Sequence, residues 1–316
     1  MQQPSSTIIT PFRIEDAQPV GVLNEKKCII RCFADFTTSE RIQEEYTSKC
    51  LNFVAPQLTN HYGSNQTYIF TNKDDYTHVF LFNKAMPNIA HIPPQNVIGF
   101  SHEPIYFLQL TTEFIEYAKK HIGRYYLGDK GNLPAPFQEG NGYLSCYSPP
   151  CLSPVPLQTK KFMSIMISQK ISAPGHKYRH ELVSAILKTN VPIDIYGRGC
   201  VYYNANKDSR IKGGFKNTEL YDGYTFTVCI ENFRSNHYFS EKIINPLNHN
   251  VTPLYLGCYH VHQYFPEMYL ELTGSVREDM AMIENIYRNP EKYIRAISLE
   301  KVDKTINLIR NLPTFF

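Results

Sequence analysis

Phe226-Thr227-Val228-Cys229-Ile230-Glu231-Asn232, then Tyr238-Phe239-Ser240-Glu241-Lys242, then Pro253-Leu254-Tyr255-Leu256-Gly257 decide how this chain is read. The first run is apolar and bounded by polar residues, as a buried strand is; the last reads the same way. Between them Ser240 is a good helix N-cap with an acid-base pair directly after it. Two parallel strands joined by a helix bring the loop and the helix N-terminus to the carboxyl edge of a sheet. Amides and the helix dipole favour phosphate there, so the segment predicts a nucleotide-binding half.

Elements alternate outward from this unit. Strands are expected at 162–168, 192–196, 226–230 and 252–256, with helices at 176–187 and 240–248 and a short helix near 217–221. That rhythm is a doubly wound parallel α/β domain. The first half repeats it with strands at 28–33, 78–82, 97–100 and 125–127 and a helix at 113–121. Ser148 to Pro156 holds four prolines in nine residues, which neither a helix nor a central strand accommodates. The expected division is therefore 1–148, a linker over 149–159, and 160–316 ending in helices. The fold class is α/β, two Rossmann-like domains facing across a cleft. Leu299, Val302, Ile306 and Ile309 lie at helical spacing and are read as one packing face.

The 316-residue chain carries 32 basic and 29 acidic residues, a formal net charge of +3, and so shows no nucleic-acid footprint. None of its eight cysteines forms a CxxC pair, and they are read as free thiols of a reducing compartment. No apolar run of 18 residues and no signal-peptide pattern occurs, which predicts a cytoplasmic or soluble chain without a transmembrane segment. The sequons at Asn65 and Asn250 are read as chance matches.

Four places could carry chemistry. Ile193-Asp194-Ile195-Tyr196-Gly197-Arg198-Gly199 ends an apolar strand in a glycine-flanked arginine, whose guanidinium could grip two phosphate oxygens, although a surface arginine has the same appearance. Lys242, beside the first-turn amides of its helix, is a second candidate cation, though such pairs are commonly solvated. Pro246 should bend or shorten that helix. Val97 to Pro104 places Glu103 just past a strand, held extended by Pro104, as a candidate general base with His102 as its rival. His260 and His262 have a spacing seen in metal sites but no third ligand at a convincing offset, so no metal site is expected. Neither a Walker loop, GxGxxG, Asp-x-Asp nor Gly-x-Ser-x-Gly is present.

Taken in order, Tyr196-Gly197-Arg198, Phe226 to Asn232, Tyr238 to Lys242 and Pro253 resemble the donor-binding half of the family 10 α1,3/α1,4-fucosyltransferases. Gly99-Phe100-Ser101-His102-Glu103-Pro104 is similar to the acceptor-side motif of that family, and Ser164 to Ala185, with Arg179 in its helix, fits more loosely. The resemblance implies a GT-B fold and inverting transfer of fucose from GDP-fucose to a glycan hydroxyl, α1,3-type. It makes Glu103 the base, Arg198 and Lys242 the cations on the leaving diphosphate, Asn232 and Tyr238 the guanine contacts, and Glu241 the ribose contact. It implies no required cofactor, with a divalent metal at most stimulatory. Phe233-Arg234-Ser235-Asn236-His237 departs from the family's small polar loop. Without tryptophan, sugar stacking must use Tyr or Phe, and Gly128 to Tyr147 is the expected acceptor loop. The rival readings are the same fold with another nucleotide sugar and a non-catalytic carbohydrate-binding protein.

Overall fold

The computed structural model describes residues 28–52, 68–151 and 156–316. Asn65, part of the proline-rich linker and the side chain of Cys50 lie outside the described residues. Two parallel six-stranded sheets form two lobes. The front sheet runs β2-β1-β3-β4-β5-β6, from β1 (Cys28–Ala34), β2 (Tyr68–Phe70), β3 (His78–Phe82), β4 (Val97–Phe100), β5 (Arg124–Leu127) and β6 (Phe137–Glu139). The rear sheet runs β12-β11-β10-β7-β8-β9. Its strands are β7 (Lys161–Met166), β8 (Ile193–Tyr196), β9 (Ile211–Gly213), β10 (Tyr224–Ser235), β11 (Thr252–Cys258) and β12 (Leu270–Glu271).

Helices cover both sheets: α1 (Ser39–Asn52), α2 (Ile105–Leu108), α3 (Thr112–His121), α4 (Pro174–Ile186), α5 (Glu241–Asn248), α6 (Val261–Tyr264), α7 (Val276–Arg288), α8 (Leu299–Ile306) and α9 (Leu312–Phe315). Since both faces of a parallel sheet are buried, its central strands read as continuous apolar runs. Val228 pairs with Ile165 on one side and Leu254 on the other, and all three join one core with Leu182 of α4 and Ile283 of α7. Cys229 and Tyr255 alternate to the opposite face and pack with Ile243 and Leu247 of α5 and Val302 of α8.

Helix α5 has only eight residues and ends two positions after Pro246, which lacks the amide that would bond one turn back. The short helix expected near 217–221 is instead a run of turns. The tail, assigned from sequence to the rear domain, divides between lobes. Val302 and Ile306 pack on the rear core, whereas Leu308, Ile309, Leu312 and Phe315 pack on the front sheet with Ile30, Phe80 and Phe100. Asn307 turns extended between them, and Arg124 clasps the tail by donating to the Phe315 carbonyl at 2.5 Å. Among the described residues no helix is long and apolar enough to cross a membrane.

Candidate active site

At the carboxyl edge of the rear sheet β10 delivers Glu231, whose side chain is fully buried. Burying a carboxylate is costly unless hydrogen bonds and a counter-ion compensate it. Ser240 supplies the first: its backbone N donates at 2.8 Å and its hydroxyl lies 2.9 and 2.8 Å from the two carboxylate oxygens. Lys242 supplies the second, with Nζ 3.2 Å from Glu231 Oε2, 3.1 Å from Glu241 Oε1 and 2.9 Å from Ser240 Oγ. Burial works against the Lys242 charge, but Glu231 and Glu241 outweigh it and its pKa is raised. Glu241 is the mirror case: burial opposes its charge, Lys242 outweighs it, and its pKa is lowered.

A second cation enters from α4. Arg179 is 3% exposed, donates from Nε to the Gly175 carbonyl at 3.1 Å and from Nη2 to Asn232 Oδ1. Burial lowers its pKa, opposed by Glu231 and Glu241; a guanidinium stays charged regardless. Gly175 lets α4 come this close, since a Cβ there would lie 1.8 Å from the Glu231 carbonyl oxygen. Buried His176, in the first turn of α4, has its pKa pushed down to about 4 by burial, then Arg179, Lys170 and Lys242. The rear crevice thus holds two buried cations, Arg179 and Lys242, beside Glu231, Glu241 and Asn232.

The front lobe faces this crevice with the segment after β4. Ser101 Oγ donates to the Glu103 carbonyl at 2.5 Å, and Pro104 is the N-cap of α2. Glu103 is open to solvent, yet the protein around the cleft disfavours its charged form. Burial raises its pKa, Lys242 lowers it, and Glu241 raises it again. Glu103 therefore feels the rear cluster directly. His102 is engaged in the front lobe. Asn83 Oδ1 accepts from its backbone N at 2.8 Å, its Nε2 is 2.8 Å from the Tyr46 hydroxyl, and its ring lies 4.9 Å from Phe82.

The structure brings Glu103, Asn232, Tyr238, Glu241 and Lys242 around one crevice. Tyr238 is 8% exposed, and burial, Glu231, Glu241 and Glu103 raise its pKa. Arg198 stands apart. It opens a turn after Gly197 (φ 103°) at the end of β8, two strands from β10 along the same sheet edge. Its side chain is exposed and makes no ion pair among the described residues. Arg179 and Glu231 occupy the inner positions instead, and neither was a site candidate from the sequence. His260 lies 4.8 Å from the His237 ring and 6.1 Å from His262, and no cluster of three metal-ligating side chains occurs among the described residues.

The expected acceptor loop, Gly128 to Tyr147, is largely a seam between lobes. His237 N donates to the Gly128 carbonyl at 2.9 Å and Asn236 N to Asp129 Oδ1 at 2.8 Å; Cys146 Sγ lies 3.8 Å from Glu241 Oε2. A Cβ at Gly128 would come within 2.6 Å of Tyr238 Cβ. A cavity of about 760 Å³ lies elsewhere, between the Pro266–Tyr269 and Ile294–Ser298 segments, with none of the crevice groups in its walls.

Residues 157–298 match the family described as glycosyltransferase family 10 (fucosyltransferase), C-terminal part. A putative fucosyltransferase-like protein of Arabidopsis thaliana is 24% identical over 156 residues, 48% of this chain and 28% of that relative. The chain thus spans little more than a quarter of that relative's length. Among solved structures, an α1,3-fucosyltransferase superposes with a TM-score of 0.52 at 16% identity, covering 92% of this chain and 84% of the other. Anabaena HepE in complex with UDP superposes at 0.55 with 10% identity, covering 92% and 98%. At these identities the solved structures establish the fold, two facing Rossmann-like lobes, and the sequence match shows what the rear one is similar to. The chain has the GT-B fold, and residues 157–298 of its rear lobe are similar to glycosyltransferase family 10.

Proposed function

We propose that this chain is an inverting fucosyltransferase that moves fucose from GDP-fucose to a hydroxyl of a glycan acceptor in α1,3-type linkage. The observation that carries the reading is the placement of two buried cations, Arg179 and Lys242, on one wall of a crevice whose other wall presents Glu103. The Glu103 carboxylate takes the proton of the acceptor hydroxyl as its oxygen bonds to the anomeric carbon. The bond from that carbon to the β-phosphate oxygen breaks, and its electron pair leaves with GDP. A raised pKa makes Glu103 a better proton acceptor than an ordinary glutamate.

Charge grows on the diphosphate as it departs, and cations fixed there lower the barrier without reorganising. Lys242 is shared by Glu231 and Glu241. Donor binding then exchanges one partner: Glu241 turns to the ribose hydroxyls, Lys242 turns to phosphate, and buried Glu231 keeps the ammonium positioned. Asn232, fixed by Arg179, and Tyr238 would contact the guanine. Arg198, exposed at the end of β8 along the same sheet edge, would add a further cation to the diphosphate. In this reading the protein's own cations serve the leaving group, and no metal is required.

The test is turnover of GDP-fucose, GDP-mannose, UDP-galactose and UDP-N-acetylglucosamine with a panel of glycan acceptors. Fucosyl transfer from GDP-fucose alone supports the proposal. Turnover of a UDP-sugar in its place would move the chain to another donor class of the same fold, and GDP binding without any turnover would favour a carbohydrate-binding role.

A further inference from the structure

Three aromatic rings meet across the cleft beside Glu103. Tyr106 and Phe107 lie three and four residues after it, in the single turn of α2, and remain 64% and 44% exposed. Phe233 comes from the rear lobe, immediately after Asn232. Its ring stacks on Tyr106 at 5.1 Å and 23°, and meets Phe107 edge-on at 4.9 Å and 77°. None of the three belongs to a core cluster of either lobe. Core packing therefore does not account for them, and an aromatic side chain left in water forgoes the burial that usually justifies its size.

Their position is defined by chemistry on both sides. Backward along the chain from Tyr106 stands Glu103; backward from Phe233 stands Asn232, held by Arg179. The stack thus bridges the wall bearing the proposed base and the wall bearing the cations, and most of Tyr106 remains exposed. The cations are deeper and suit the diphosphate. An uncharged ring face suits a pyranose, which carries axial C–H groups on one side and hydroxyls on its rim.

The geometry points to the Tyr106–Phe233 stack as the acceptor platform: it seats a neutral pyranoside by its C–H face and directs a rim hydroxyl to Glu103. This rests on the transferase reading above. It also assigns a role to Phe233, which stands where the family resemblance has a small polar loop, so the platform belongs to this chain rather than to the family pattern.

Transfer kinetics of the full chain with GDP-fucose and a series of methyl β-pyranosides test it, using Tyr106→Ala, Phe233→Ala and the conservative Tyr106→Phe. Tyr287→Ala, an exposed aromatic on α7, is the control. Each alanine variant is expected to raise acceptor KM by roughly tenfold and donor KM far less, with Tyr106→Phe close to wild type. Unchanged acceptor KM in both alanine variants overturns the platform. Should no donor turn over, the transferase reading fails separately. Saturation-transfer NMR of methyl β-D-galactopyranoside and methyl β-D-glucopyranoside with the GDP-loaded chain then decides the platform. Saturation of the C–H face protons that disappears in Tyr106→Ala upholds it, and equal saturation in variant and wild type overturns it.

Discussion

The Lys242 ammonium lies 3.2 Å from Oε2 of Glu231, a carboxylate with no exposed side-chain surface. Each charge is what makes the other tolerable in the interior, so removing either leaves an uncompensated buried ion. Glu231 therefore acts as an anchor that holds a cation at the crevice floor, while the more exposed Glu241 is the partner that can leave.

Lys242→Met should consequently lower unfolding stability by about 3 kcal/mol as well as weaken GDP binding. Urea denaturation and calorimetric GDP titration check the two effects together. Glu241→Gln keeps the buried pair and is expected to change stability by under about 1 kcal/mol, in line with a partly exposed ion pair. A large stability loss in Glu241→Gln, with little in Lys242→Met, would reverse the roles given to the two carboxylates.

The arginines separate in the same way. Arg179→Ala removes a buried guanidinium bonded to Asn232 and should cost GDP binding about 2–5 kcal/mol, mostly as faster dissociation. Arg198→Ala removes an exposed one, and a loss of less than about 1 kcal/mol is expected. Equal losses from the two would place the diphosphate further out along the sheet edge than Lys242 suggests.

The rear-lobe strands and the Ser240-Glu241-Lys242 turn were readable because parallel strands buried on both faces leave unbroken apolar runs, and because a serine cap before an acid-base pair is a local signal. Arg179 was not readable as an inner cation. In Pro174-Gly175-His176-Lys177-Tyr178-Arg179-His180 it has the look of any surface helix residue, and its partner Asn232 is 53 positions away. Helix α1 escaped for a similar reason: among its described side chains Ile42 and Tyr46 are the buried apolar ones, set among many polar residues. Strands β9 and β12 have three and two residues, too few to show a period. The tail misled because Leu299, Val302, Ile306 and Ile309 keep helical spacing through Asn307, where the chain turns extended and crosses to the other lobe.

Gly175 offers a test of the close approach between α4 and β10. In Gly175→Ala the new Cβ meets backbone on the far side, with no flexible side chain to yield, so α4 must shift outward and carry Arg179 with it. A destabilisation of about 1–3 kcal/mol is expected together with weaker GDP binding. Wild-type values for both, from denaturation and titration, would show that the contact has slack.

Two titrations follow from burial. His176 is held neutral, its Nδ1 accepting from Ala173 N at 3.3 Å, with a folded-state pKa of about 4. The unfolded chain takes up that proton near the ordinary value of ~6.5, so stability from this group is complete above that pH and declines as pH falls toward 4. Denaturation midpoints between pH 4 and 7 should show this slope, and His176→Asn should flatten it. An unchanged slope in the variant assigns the pH dependence to other groups.

Glu103 bears on the reaction most directly, through anomeric-proton NMR of the first product from GDP-fucose and acceptor, run across pH with wild type and Glu103→Gln. The account predicts a product of inverted anomeric configuration and an acid limb above the ordinary glutamate range. It also predicts that Glu103→Gln loses at least about 100-fold in rate while binding GDP as wild type does. Retention of configuration, or a Glu103→Gln enzyme of undiminished rate, would contradict it.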